Sequence, residues 1–86
     1  MNTALAANVS ATQTEDGGMV LLDQRTGRYW QLNPTGAAIL GLVLSEGDAQ
    51  AAVRALVEQH PAAAARIPAD VTSLVRMLRD RRLVTT

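Results

Sequence analysis

Asn33-Pro34 divides this chain into two regimes. Before it, apolar residues alternate in short runs; after it, they recur every three or four positions. Asn is a favoured helix N-cap, and Pro is tolerated at the first helical position because its missing N–H would be unpaired there anyway. The residue before a proline is held extended. A helix therefore starts at about Thr35, and the chain arrives at it as a strand.

The arriving segment reads as a hairpin. Met19 to Asp23 is a short apolar run bounded by turn residues. Gln24-Arg25-Thr26-Gly27 reverses the chain, and Gly27 suits the left-handed position that closes a three- to five-residue loop. Arg28 to Leu32 is the partner strand. Its alternation sets Arg28, Trp30 and Leu32 on one face and Tyr29 and Gln31 on the other. The Trp30–Leu32 face is the better candidate for the core. Upstream, Ala6 to Thr14 is small and polar, with the Thr, Ser and Val content of a weak edge strand. Glu15-Asp16-Gly17-Gly18 turns it into the hairpin.

Downstream, three helices follow. The first runs from about Thr35 to Ser45, with Gly36, Ile39, Leu40 and Val43 at helical spacing and further apolar residues around it, so it belongs at the centre of the core. Asp48 caps a second helix reaching Gln59, striped by Ala49, Ala52, Val53, Leu56 and Val57. His60-Pro61 stops it. The last helix starts at Ile67-Pro68 or Asp70 and continues to about Arg81. Its stripe is Val71, Leu74, Val75 and Leu78, and Arg76, Arg79, Arg81 and Arg82 crowd its C-terminal half, where cations favour the helix dipole. Leu83-Val84 is expected to pack back on the core. The fold class is α+β: a three-stranded antiparallel sheet followed by three helices, winged helix-turn-helix-like. Residues 1–5 are expected to be a flexible start and 6–86 one domain.

Composition narrows the function. The 86 residues balance eight Arg against eight acids, so no global charge draws the chain to nucleic acid or an anionic membrane. Cysteine is absent and there is one His, which removes thiolate zinc sites and Cys nucleophiles and leaves a metal site or His-based catalysis without support. Ser45, Ser73 and the carboxylates show no triad spacing. No membrane span or signal peptide is legible, and a cytoplasmic domain without catalytic residues, metal or cofactor is expected.

Leu22-Asp23-Gln24-Arg25-Thr26-Gly27-Arg28-Tyr29-Trp30-Gln31-Leu32-Asn33-Pro34-Thr35-Gly36, continuing into Ile39-Leu40, resembles the PqqD-like family. That pattern is an apolar-Asp pair, a turn ending in Gly, an aromatic pair, Leu-Asn, then Thr-Gly and a helix. Asp48 to Val57 and Val71 to Val84 resemble its second and third helices. The resemblance implies a RiPP recognition element, a domain that binds the leader peptide of a ribosomally made precursor and brings it to modifying enzymes. A chain of this length looks most like the separate leader-binding protein of a lasso-peptide cluster, where a leader peptidase and a macrolactam-forming cyclase act on the same precursor. The PqqD-type chaperone of pyrroloquinoline quinone biosynthesis is its sibling.

The resemblance further implies that the leader adds as a β-strand along Arg28, Tyr29, Trp30, Gln31 and Leu32, in a groove closed by the last helix. Its apolar side chains then enter between Trp30, Leu32 and the stripe Val71, Leu74, Val75, Leu78. Arg79 and Arg82, three apart near that stripe, are expected to pair with leader carboxylates, and Asp70 is counted among the expected peptide-binding residues. Simpler readings exist for each residue: Trp30, Leu32 and the stripe as core, the Arg cluster as a solvated helix end, and Asp70 as a first-turn acid. A winged-helix DNA binder is the competing function. It is disfavoured because the N-terminal end of the last helix, which would read bases, carries only the acidic Asp70.

Overall fold

The computed structural model describes residues 3–85. Its helix start follows the sequence directly. Asn33 is extended, and its Oδ1 accepts the Gly36 N–H at 2.8 Å, ahead of helix α1 (Pro34–Glu46). Gly47 closes α1 with its N–H on the Val43 carbonyl. Asp48 then caps α2 (Ala49–Gln59) by accepting the Ala51 N–H at 2.7 Å. A single 3-10 turn (Pro61–Ala63) leads into α3 (Ile67–Asp80).

A three-stranded sheet precedes the helices, built from β2 (Val9–Gln13), β3 (Met19–Asp23) and β4 (Tyr29–Leu32). They form an antiparallel sheet in that order, so β4 is an edge. Two glycines make the hairpin geometry possible. Gly27 takes φ 78° and gives its N–H to the Asp23 carbonyl. Gly18 packs so closely that a Cβ there would stand 2.5 Å from the Leu32 carbonyl oxygen.

The chain ends add an element that the sequence reading lacks. β1 (Ala4–Leu5) pairs antiparallel with β5 (Val84–Thr85), and Ala6 donates to the Leu83 carbonyl at 2.9 Å. The flexible start expected over 1–5 is thus paired at Ala4–Leu5, because Leu5 packs on the apolar cluster that holds Leu83 and Val84. Met1 and Asn2 lie outside the described residues.

Two apolar clusters meet along α1. On the sheet side, Leu40 packs with Val9, Leu21, Leu32, Leu78 and Leu83. On the helical side, Ile39 and Val43 pack with Ala52, Leu56, Val71 and Val75. Leu74 touches both clusters. No helix among the described residues is long and apolar enough to cross a membrane.

Candidate functional site

The open edge of β4 has a defined polarity. Asp23 donates its N–H to the Arg28 carbonyl at 2.8 Å, and the ladder continues as Leu22↔Tyr29, Leu21↔Trp30, Val20↔Gln31 and Met19↔Leu32. Hydrogen-bonded and non-bonded pairs alternate in an antiparallel ladder. Arg28, Trp30 and Leu32 are therefore bonded to β3, while the backbone N–H and C=O of Tyr29 and Gln31 point outward. A row of outward groups of this kind is a template for a further strand.

What lies beside that edge comes from α3. Val71, Val75 and Leu78 mark its buried centre. At 100° per residue, Asp70, Leu74, Met77 and Arg81 form the shoulder on one side of that centre, and Pro68, Thr72 and Arg79 the other. The first shoulder faces β4. Leu74 and Met77 are half-buried against the same cluster as Trp30. Arg81 lines two adjoining hollows of about 570 and 550 Å³ together with Arg28 and Trp30. The second shoulder faces α2: Pro68 and Thr72 stand with Val53 and Arg54, and Arg79 lines a hollow with Ala49 and Thr72.

The expected groove lining changes accordingly. Trp30 is half-buried and Leu32 buried, so Trp30 carries the accessible apolar surface of the inner face of β4. Tyr29, 68% exposed, and Gln31 project from the opposite face of the sheet and offer the groove their backbone. Val71, Val75 and Leu78 are 0%, 3% and 1% exposed and leave no surface for a ligand. On this flank of α3 the half-buried apolar surface beside Trp30 belongs to Leu74, a member of the expected stripe, and to Met77, which lies outside it. Arg79 sits on the α2 side, away from β4. Arg82 does reach the hairpin end, beside Arg25, Arg28 and Asp80.

Asp70 stands at the other end of α3. It pairs with Arg66 (Nε to Oδ2, 3.5 Å) and borders a cavity of about 230 Å³ with Thr35, Ala38 and His60. From Asp70 to Arg81 the shoulder is about 16 Å long, the span of about five extended residues. The signal for Met77 and Arg81 was present: they continue Leu74 at i+3 and i+7. Apolar spacing alone does not separate the buried centre of the stripe from its open shoulder.

At the hairpin end, Asp23 accepts from Asn8 Nδ2 at 2.7 Å and from the Arg25 N–H at 2.9 Å. The Asn8 bond, with smaller help from Arg25 and Thr26, holds its carboxyl below the ordinary value against partial desolvation. The carboxylate thereby fixes the loop that carries Arg25 and Arg28. Among the described residues no three His, Cys, Asp or Glu side chains converge as a metal site would require.

This arrangement has close counterparts. A solved structure of lasso peptide synthetase B1 complexed with the leader peptide superposes with a TM-score of 0.85 at 30% identity, each chain covered in full. A structure of TbiB1 in complex with the TbiA(beta) leader peptide gives 0.79 at 22% identity, covering 93% of this chain and 92% of that one. No curated protein matches the sequence significantly. The sequence itself matches the family described as Coenzyme PQQ synthesis protein D (PqqD) over residues 18–84, and the chain belongs to that family.

Proposed function

We propose that this protein binds the leader segment of a lasso-peptide precursor as a strand added to β4, and hands it to a separate leader peptidase and a macrolactam-forming cyclase. The observation that carries this reading is the open edge at Tyr29 and Gln31 beside the half-exposed apolar surface of Trp30, Leu74 and Met77. Main-chain bonds to the edge supply affinity, and side-chain recesses supply selection. The opposite edge, β2, is also unpaired, but its exposed Ala11, Thr12 and Gln13 give an incoming apolar side chain little to cover. The 30% identity to lasso peptide synthetase B1 supports the lasso assignment. The protein acts in the cytoplasm as a binding module without chemistry of its own.

The family's description favours a second reading, a PqqD-type peptide chaperone for pyrroloquinoline quinone. Titration with the two classes of leader separates them. Trp30 is the sole Trp and lies at the edge itself, so its fluorescence reports occupancy. The leader of a cognate lasso precursor is expected to shift the emission saturably, with a dissociation constant of about 10 μM or tighter. Saturation by a quinone-precursor leader alone selects the second reading, and silence with both up to about 1 mM rejects leader binding.

A further inference from the structure

The two ends of the groove differ chemically. Toward Asp70 the border holds one cation and one anion, Arg66 and Asp70, already paired. Toward the hairpin, Arg25, Arg28, Arg81 and Arg82 converge on the hollow beside Trp30, and all four are exposed. Two acids, Asp23 and Asp80, share that hollow. The Arg66–Asp70 bridge is the only ion pair among the described residues, so none of the four guanidinium groups is neutralised by direct pairing. The α3 C-terminus adds about half a negative charge, which leaves the hollow net positive.

Building on the edge-docking reading, we infer that this Arg-rich end selects a carboxylate in the docked peptide, two residues beyond the apolar residue that faces Trp30. The position follows from register. A strand bonded to Tyr29 and Gln31 sets the residues opposite Leu32, Trp30 and Arg28 on the inner face, where they point toward α3. Antiparallel pairs outnumber parallel ones, and every pair in this sheet is antiparallel. Read from its N-terminus, the peptide then places apolar side chains opposite Leu32 and Trp30. Asp or Glu follows opposite Arg28, within reach of Arg81. Guanidinium groups bind carboxylates through paired N–H donors, which makes this end selective as well as attractive. The class selected is apolar-x-apolar-x-acid.

Selection of random twelve-residue peptides displayed on phage, against the intact protein, tests this. Recovered peptides are expected to share the alternating apolar pair and to be enriched in Asp or Glu two positions after it. In a synthetic recovered peptide, Glu→Gln at that position should weaken binding about three- to tenfold. The Arg28→Glu/Arg81→Glu protein should keep the apolar preference and favour Lys or Arg at the third site. Both residues are exposed, so the fold tolerates the exchange, which circular dichroism checks. Arg79→Glu, on the α2 side, should leave the acid preference unchanged. Peptides with the apolar pair but no acid enrichment, or with acid before the pair, overturn the inference and leave edge docking standing. Recovery of no alternating apolar peptides overturns both. Tight binding of fluorescein-labelled duplex DNA at 150 mM salt, abolished by the double exchange, would assign the Arg-rich end to phosphate and also overturn the inference.

Discussion

Leu21 and Trp30 are direct partners across β3 and β4, yet Leu21 is fully buried and Trp30 is only half-buried. The difference arises from position in the sheet. β3 is covered on both sides by strands, while β4 has a neighbour on one side only. The inner apolar face therefore reaches solvent at Trp30, beside Leu74 and Met77. Trp30→Ala should lower stability by about 1–3 kcal/mol, less than a fully buried aromatic would, and weaken leader binding at least tenfold. Urea denaturation and calorimetric titration measure the two effects.

Proline distinguishes the two directions of the β4 backbone. At Gln31 the N–H points to the open edge, so Gln31→Pro spares the ladder to β3 and removes a donor that only an added strand would use. The variant should fold, with a loss of about 1–2 kcal/mol, and bind leader at least tenfold more weakly. Trp30→Pro breaks a bond to β3 and should unfold the hairpin. Thermal melts and leader titration of the pair check this.

Charge placed on α3 should separate core from groove. Met77→Glu lies on the half-exposed shoulder and should fold while losing leader affinity. Leu78→Glu, one position on, buries an unpaired carboxylate in a site 1% exposed. That cost, about 4 kcal/mol or more, is a large part of a small domain's stability. Its expected outcome is unfolding seen by circular dichroism, not a folded protein with weak binding.

Acid should loosen the hairpin loop. Asp23 is held below its ordinary pKa chiefly by Asn8, so its contribution to stability is complete above the unfolded carboxylate value, near 4. It is lost as pH falls through the lower folded value. Asp16, lowered by Thr14 and the Gly18 N–H, adds in the same direction. Stability measured by urea unfolding should decline below about pH 4, and Asn8→Ala should flatten that decline by raising the folded pKa of Asp23.

Local chemistry made much of this fold legible. Asn33 and Asp48 cap where their sequence contexts require, and Gly27 takes the left-handed turn its position demands. These signals act within a few residues. The Ala4–Leu5 and Val84–Thr85 ribbon was not legible, because two-residue strands have no period and their partners lie at opposite ends of the chain. The groove was legible in part. Trp30 and Leu74 stand where the strand and helix patterns predict, but spacing alone does not reveal which flank of an apolar stripe faces the sheet and which faces α2. The expected lining therefore includes the buried Val71, Val75 and Leu78 and the α2-side Arg79, and omits Met77 and Arg81, which stand beside Trp30.

Amide exchange on β4 tests strand addition most directly. In the free protein the Trp30 N–H is tied to β3, and those of Tyr29 and Gln31 face the open edge. Hydrogen exchange followed by NMR, with and without saturating leader peptide, should show Tyr29 and Gln31 pass from fast to slow exchange while Trp30 is slow throughout. Saturated binding that leaves Tyr29 and Gln31 exchanging as fast as in the free protein would contradict docking at this edge.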